Sequence, residues 1–164
     1  MANETTKIKA VKTENVVAQT VRDGLPEVLV VNKGLRHAPQ SLFQWHLQVA
    51  IPYRDADSQG IPTARELAIL NPVSDAVTAF VLESRTETDA PNALFFAQST
   101  WNGIRELHFR VHNEGRALKL ISKKTFQKWD RDWEFRLLED PDWGMVAPIS
   151  NLLAAAGDDQ PLRS

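Results

Sequence analysis

The chain has 164 residues, with 19 Lys and Arg against 21 Asp and Glu, and a formal net charge of −2 at pH 7. This length fits a single domain, and a composition of 43% hydrophobic and 24% charged residues excludes an intrinsically disordered chain. Cysteine is absent, which excludes disulfides, thiolate nucleophiles and Cys-ligated metal centres. No apolar run approaches the roughly 20 residues of a membrane span and no secretory signal is visible, so we expect a cytoplasmic protein without membrane contact.

The predicted domain covers residues 14–156. No repeat, low-complexity linker or change in composition divides this range, so we expect it to form one α+β domain. The polar segments on either side of it, 1–13 and 157–164, are predicted to be flexible tails.

The domain is predicted to open with three strands. Two β-rich runs, 15–22 and 27–31, flank Asp23-Gly24, and both turn residues tolerate the positive φ of a tight hairpin turn. Residues 43–51 then alternate between apolar and polar side chains, which is typical of a half-buried strand.

A long amphipathic helix is predicted next. Thr63 and Glu66 have the spacing of a capping box, and apolar residues recur at steps of three and four over 67–81. Pro72 lies inside this stripe. Since an internal proline removes one intrahelical hydrogen bond, we expect a kink or a break there, with Asn71 capping a second helix.

The second half of the chain is predicted to contain another hairpin. Asn102-Gly103, the strongest short-range signal for a hairpin turn, separates two apolar strands over 92–101 and 104–112. The remaining predicted elements are a helix over 114–129, a strand over 133–137, and a helix that opens at Asp140-Pro141 and runs to about residue 156.

From the third strand onward, the predicted order is β-α-β-β-α-β. This order is that of the ferredoxin-like split repeat, in which two helices cover one face of a single sheet. The predicted fold is therefore α+β, with a ferredoxin-like core, an additional N-terminal β-hairpin and an extra C-terminal helix.

Three short motifs carry a family resemblance. They are Gly60-Ile61-Pro62-Thr63-Ala64-Arg65-Glu66-Leu67, then Thr100-Trp101-Asn102-Gly103-Ile104-Arg105-Glu106, and last Asp140-Pro141-Asp142-Trp143. In this order and spacing, from about Glu14 to Leu153, the chain resembles the bacterial domain-of-unknown-function family DUF 695. The resemblance implies a ferredoxin-like α+β fold and supplies no catalytic residues. A relationship in fold to a family that regulates ribonuclease E hints at a regulatory role through protein binding.

One predicted sheet face is polar. If the helices cover the face that carries Leu47 and Phe109, the other face presents the following polar side chains: Gln44, His46, Gln48, Glu106, His108, Arg110 and His112. This face could be a solvated surface, which we favour, a binding surface, or an acid–base site that uses His46, Glu106 and His108. His108 and His112 lie about 13 Å apart at about 3.3 Å per strand residue, too far to chelate one ion, so we predict no metal site and no cofactor.

A cationic segment follows the second hairpin. Six Lys and Arg against two Asp and Glu fall within 114–131, with Arg116, Lys119 and Lys123 among the cations. Such a stripe could bind phosphate or an acidic partner, although a solvated helix face is favoured. Nucleic-acid binding is not expected, because the polar sheet face carries Glu, His and Arg where an RNA-recognition motif stacks bases on aromatic side chains.

The leading hypothesis is a protein-interaction or regulatory module without catalysis, with its oligomeric state open. Trp101, beside a turn, is a candidate hot spot for a partner, and Arg105 could bind an anion. An acid–base or hydrolytic enzyme and a nucleic-acid-binding helix over 116–131 are the two alternatives. The candidate binding residues are His46, Trp101, Arg105, Glu106, His108, Arg110, His112, Arg116, Lys119 and Lys123.

Overall fold

The computed structural model describes residues 12–156, with side chains described as far as Leu152. The two predicted tails lie outside this range, apart from Lys12 and Thr13. The elements are β1 (Asn15–Arg22), β2 (Leu25–Asn32), β3 (Trp45–Pro52), α1 (Ala64–Leu82), β4 (Ala93–Trp101), β5 (Ile104–Val111), α2 (Glu114–Ile121), β6 (Glu134–Glu139) and α3 (Ala147–Ala156). The predicted mixture of helices and strands is confirmed.

The six strands form one antiparallel sheet in the spatial order β1-β2-β4-β5-β3-β6. Within the part of the chain that the structure describes, β1 and β6 are therefore the two edges of the sheet. In the centre of the sheet, Leu47 lies opposite Phe109 and Gln48 lies opposite His108. Because side chains alternate along a strand, this register places leucine and phenylalanine on one face and the histidine on the other.

The helix face of the sheet, which carries Leu47 and Phe109, packs against α1 and α2. Both side chains are fully buried in one apolar cluster with Leu70 and Val77 of α1 and Ile121 of α2. The alternation of apolar side chains in β3 and β5 predicted this face, and the prediction is confirmed.

Both predicted hairpin turns are present. The backbone φ is 51° at Asp23 and 78° at Gly24, and it is 45° at Asn102 and 87° at Gly103. Successive positive φ values are those of a type I′ turn, which matches the twist of the strands that it joins.

Of the two alternatives predicted at Pro72, the break with Asn71 as the cap of a second helix is wrong, because α1 is continuous from Ala64 to Leu82. Pro72 leaves the carbonyl of Ala68 without an intrahelical donor, and both residues are exposed, so solvent can hydrate this carbonyl. At the start of the helix, Thr63 accepts a hydrogen bond from the backbone N–H of Glu66, as the predicted cap requires.

The last two predicted helices are shorter than expected. α2 ends at Ile121 and continues as a 3₁₀ turn over Ser122–Phe126. The segment that begins at Asp140 does not start a helix directly, because Trp143 adopts a left-handed conformation with φ 56°. A 3₁₀ turn over Gly144–Val146 follows, and α3 starts only at Ala147. Within the described residues, no helix is both long and apolar enough to cross a membrane.

The opposite face of the sheet, which carries His46 and His108, has a second apolar cluster over part of its area. Leu35 and Phe43 from the segment before β3, and Trp143 and Val146 from the segment after β6, pack there on Leu94, Phe96 and neighbouring residues. The expectation of an open polar face is therefore wrong for this half of the face. The covering segments are turns and 3₁₀ helices, whose packing direction is not encoded in local periodicity.

Candidate functional site

Polar side chains on the opposite face form a continuous chain of contacts, which we call the relay. His108 Nε2 lies 3.3 Å from Glu106 Oε2, and His108 Nδ1 lies 3.1 Å from His46 Nε2. His46 Nδ1 lies 3.4 Å from Arg110 Nη1, which donates to Asp140 Oδ2 at 2.8 Å. The three predicted acid–base residues, His46, Glu106 and His108, are thus brought together.

The contacts of the relay determine which ring nitrogen of His46 and of His108 carries the proton. Arginine only donates hydrogen bonds, so His46 Nδ1 must accept and His46 Nε2 must carry the proton. His46 then donates to His108 Nδ1, and His108 Nε2 donates to the Glu106 carboxylate. Every hydrogen bond between Arg110 and Glu106 therefore points towards Glu106.

Burial and neighbouring charges favour this neutral arrangement of His46. Its side chain is 1% exposed, and burial, together with the nearby His108 and Arg110, lowers the pKa of His46 to about 3. The hydrogen bond from His108 holds the pKa of Glu106 below its usual value against the effect of burial. The relay therefore carries a neutral imidazole at His46 and an ionised carboxylate at Glu106 near neutral pH.

Next to Glu106 lies a second group of charged side chains. Ser99 Oγ donates to Glu27 Oε2 at 2.5 Å, and Arg22 Nη1 lies 3.0 Å from the same oxygen. Arg22 also approaches Glu106 at 4.0 Å, and its guanidinium lies 3.9 Å from the ring centroid of Trp101. Trp101 Nε1 donates to the backbone carbonyl of Arg22, so this candidate hot spot is engaged by the hairpin of β1 and β2.

The other end of the relay is sealed. Arg110 is 0% exposed and donates to the backbone carbonyls of Phe43 and Asp140 as well as to the Asp140 carboxylate. Burial lowers the pKa of Arg110, and Asp140 offsets part of this effect. His112 Nδ1 lies 2.6 Å from the carbonyl oxygen of Leu42. These candidates hold the covering segments against the sheet rather than facing solvent.

Arg105 lies on the helix face, beneath α1. It is 4% exposed and donates to Thr100 Oγ1, Asn71 Oδ1 and Ser74 Oγ. Burial lowers its pKa to about 10. The predicted anion site is therefore occupied by neutral acceptors of the chain itself, which tie the middle of α1 to β5.

The predicted cationic stripe is divided. Arg131 is buried and forms a two-pronged ion pair with Glu66, with both N–O distances at 2.8 Å. Arg116 donates to the carbonyl of Arg85, while Lys119 and Lys123 are exposed. The six cations consequently do not share one surface. Among the described residues, no group of three or more His, Asp and Glu could hold a metal ion.

The first two sequence motifs meet at one corner of the sheet. The backbone N–H of Gly103 donates to the hydroxyl of Tyr53, which in turn donates to the carbonyl of Gly60. A Cβ atom at Gly60 would lie 2.9 Å from the Cα atom of Asn102, and the backbone φ of Gly60 is +80°. Glycine is thus required there both by the backbone conformation and by the close approach of the turn.

The structure also has an apolar surface that the sequence analysis missed, which we call the β1 strip. It comprises Val17 and Val21 of β1, which are 59% and 71% exposed, and Val28 and Val30 of β2, which are partly buried. All four side chains lie on the helix face, and the described cluster beneath α1 and α2 includes no residue of β1 or β2. The signal was available in the sequence, because Val17 and Val21 lie in a run without charged residues between Glu14 and Arg22.

These features define an α+β fold with a polar relay and an apolar strip, at one edge of the sheet, that no described segment covers. A family model described as a family of unknown function (DUF695) matches residues 15–146. The chain belongs to this family. No curated protein and no solved structure matches the chain significantly.

Proposed function

We propose that this protein is a protein-interaction module that accepts an extended segment of another chain at the edge of β1 that pairs with no other described strand. In this mode of recognition, an added strand supplies main-chain hydrogen bonds, and its side chains give specificity. The observation that carries the proposal is an eight-residue edge strand that presents exposed valines and no internal charge.

The two edges of the sheet differ in how they are protected. Natural edge strands resist pairing through charges, prolines, bulges or short length. β6 is six residues long and carries Glu134, Arg136 and Glu139. β1 has eight residues and places its only charge, Arg22, at its end. This contrast supports β1, rather than β6, as the edge that accepts another strand.

The β1 strip gives an added strand apolar surface to cover. Val17 lies opposite Val30, and Gln19 lies opposite Val28, so the exposed side chains form a band across two strands. Beyond Val30, the same side of β2 leads to Asn32 and a cavity of about 200 Å³ that is lined in part by Leu82 and Phe95. Burial of such a patch is a typical source of binding energy at protein interfaces.

A photo-crosslinking amino acid at position 19 tests the proposal. We expect Gln19→benzoylphenylalanine to give a covalent protein adduct in cells that express the full chain. The same substitution at Arg136 on β6 is the matched control and should give none. Absence of an adduct at position 19, or equal yields at both positions, would overturn the proposal.

We also infer that β3, α1, β4, β5, α2 and β6 form a ferredoxin-like unit, with β1, β2 and α3 as additions. The element order β-α-β-β-α-β and the spatial order β4-β5-β3-β6 within the antiparallel sheet support this assignment. A cytoplasmic location stays a prediction, made because neither a secretory signal nor a membrane span is visible in the sequence.

The second candidate function is acid–base catalysis at the Glu106 end of the relay. The observation in its favour is the aligned chain of Glu106, His108 and His46. We rank it second because His46 is sealed and His108 uses both ring nitrogens within the chain. Hydrolysis of p-nitrophenyl acetate or bis-p-nitrophenyl phosphate that is lost in Glu106→Gln and kept in Glu134→Gln would favour this candidate over the first.

Nucleic-acid binding through 116–131 has the least support, since Arg131 is turned into the protein and pairs with Glu66. Electrostatic binding of this kind weakens steeply with added salt. We therefore expect no salt-dependent change in the fluorescence anisotropy of labelled oligonucleotides.

A further inference from the structure

We infer that the chain which pairs with β1 is a second copy of this protein, related by a two-fold axis that passes beside Gln19. This inference rests on the proposed use of the β1 edge and specifies its occupant. In this arrangement, the two β1 strands run antiparallel and join two six-stranded sheets into one.

The backbone groups that are free to pair can be read from the ladder between β1 and β2. The N–H of Lys33 donates to the carbonyl of Glu14, one step before the register pair of Asn15 and Asn32. Hydrogen-bonded and non-hydrogen-bonded pairs alternate along an antiparallel ladder. The backbone N–H and C=O groups of the even-numbered residues of β1 thus point to β2. Those of Val17, Gln19 and Val21 point away from β2, to the edge of the sheet.

The spacing of the exposed valines is symmetric about Gln19. When Gln19 lies opposite Gln19 of the second copy, Val17 lies opposite Val21 of that copy, and the reverse pair forms on the other side of the axis. Both valines, 59% and 71% exposed in one chain, then gain a cross-strand apolar neighbour on the same face. A sequence that complements itself in this way fits a second copy better than an unrelated strand.

The charges at the two ends of β1 agree with this register. Glu14 precedes the strand and Arg22 ends it, and both are even-numbered, so their side chains lie on the opposite face of the sheet. Antiparallel pairing places Arg22 of one copy diagonally across from Glu14 of the other, within reach of long side chains. Parallel pairing would instead bring like charges together at each end.

The helices leave room for the second copy. A two-fold axis perpendicular to the sheet keeps α1 and α2 of both copies on the same side. Within each chain, the described cluster under these helices is built on β3, β4 and β5 with partly buried residues of β6, and β2 separates it from β1. With strands about 4.8 Å apart, the helix layers of the two copies stay well separated across the four strands of the paired hairpins.

Cysteine cross-linking tests the register directly, because the natural chain contains no cysteine. In a hydrogen-bonded antiparallel pair, opposing Cα atoms are about 5.5 Å apart, which suits a disulfide. We expect full-length Gln19→Cys to form a disulfide-linked dimer under mild oxidation, much faster than the β6 control Arg136→Cys. Val17→Cys alone should not cross-link, because its own counterpart lies about 13 Å along the strand at about 3.3 Å per residue. A mixture of the Val17→Cys and Val21→Cys chains should form a disulfide-linked dimer.

The unmodified chain provides an independent measurement. Sedimentation equilibrium should detect a reversible dimer, and Val17→Lys should raise its dissociation constant by about tenfold or more with unchanged circular dichroism. A chain that stays monomeric, with Gln19→Cys no faster than Arg136→Cys, overturns the inference. Rapid linkage of Val17→Cys to Gln19→Cys instead overturns the axis at Gln19.

The experiments test the interaction module and the identity of its partner separately. A photo-adduct at position 19 that contains a different protein overturns the second copy and leaves the interaction module standing. Absence of any adduct at that position overturns both. An adduct with twice the mass of the chain supports both.

Discussion

His46 and His108 lie on neighbouring strands with the Nε2 atom of one 3.1 Å from the Nδ1 atom of the other. They are diagonal neighbours, since His46 is opposite Arg110 and His108 is opposite Gln48 in the ladder. Two ring nitrogens at this distance need one proton between them, so the state of each ring fixes that of the other. This pair joins the sealed half of the opposite face to the half that contains Glu106.

The proton arrangement of the pair gives the first prediction. Long-range ¹H–¹⁵N spectra at neutral pH should show both His46 and His108 protonated at Nε2, because Arg110 donates to one end and Glu106 accepts at the other. Replacing Glu106 with Gln removes the carboxylate and should shift the His108 resonances most. Observation of His46 protonated at Nδ1 would contradict the direction of the relay.

The second prediction concerns stability between pH 7 and pH 5. The pKa of His46 is lowered to about 3 in the folded chain, whereas the unfolded imidazole titrates near 6.5. Below pH 6.5 the unfolded state therefore binds the extra proton, and the free energy of unfolding should fall by up to about 1.4 kcal/mol per pH unit. Urea unfolding at several pH values measures this slope.

The matched variants for this measurement are His46→Gln and His37→Gln. The first should lose the histidine slope, and the second should keep it, since His37 is exposed. The lowered pKa values of Glu66, Glu106 and Asp140 contribute at more acidic pH, where carboxylates that are paired in the folded state must be protonated. An unchanged slope in His46→Gln would show that His46 is not the group responsible.

The third prediction concerns the ion pair between Glu66 and Arg131. Both side chains are buried, and Glu66 also accepts from the backbone N–H of Arg54. Arg131→Met should destabilise the fold by about 3 kcal/mol, because it leaves a buried carboxylate without its cation. The double variant with Glu66→Gln should recover part of this loss. Denaturant unfolding checks both values, and Arg136→Met, whose side chain is exposed, should change stability by less than about 0.5 kcal/mol.

The fourth prediction separates two reasons why a position requires glycine: a positive φ and a close approach of the backbone. Gly60 and Gly24 have nearly the same φ, +80° and +78°, but only Gly60 has a backbone atom within 3 Å of where a Cβ would lie. Gly24→Ala should cost about 1 kcal/mol for the left-handed conformation alone. Gly60→Ala should lower the free energy of unfolding by about 1–3 kcal/mol more than Gly24→Ala does, because the turn at Asn102 must move. Equal losses of melting temperature in the two variants would contradict the close approach.

Periodicity in the sequence predicted most elements and one face of the sheet. The alternation around Leu47 and Phe109 identified the helix face, and Asp23-Gly24 and Asn102-Gly103 identified both hairpins, because these signals are local. The break predicted at Pro72 is wrong. The free-energy cost of an internal proline depends on whether water reaches the freed carbonyl, and that depends on which side of α1 faces solvent.

The candidate site was predicted only in part. The sequence placed His46, Glu106 and His108 on one face, and strand alternation is sufficient for that. It did not reveal the order of contacts or the seal over Arg110, because the covering residues Phe43 and Trp143 lie 100 positions apart and meet through irregular segments. Nor did it predict that β1 would lie at an edge, which depends on the pairing of β2 with β4.

The sequence by itself determined the α+β class, the turns and the side chains that face the helices, because each follows from the conformational preferences of a few neighbouring residues. Tertiary structure alone decided which polar groups are buried together and which of the described strands lie at the edges of the sheet. The physical reason is that strand order, and what packs over each face of the sheet, set burial and the hydrogen-bond partners across the strands. Strand order and face packing depend on contacts between distant residues, so no local stretch of the sequence determines them.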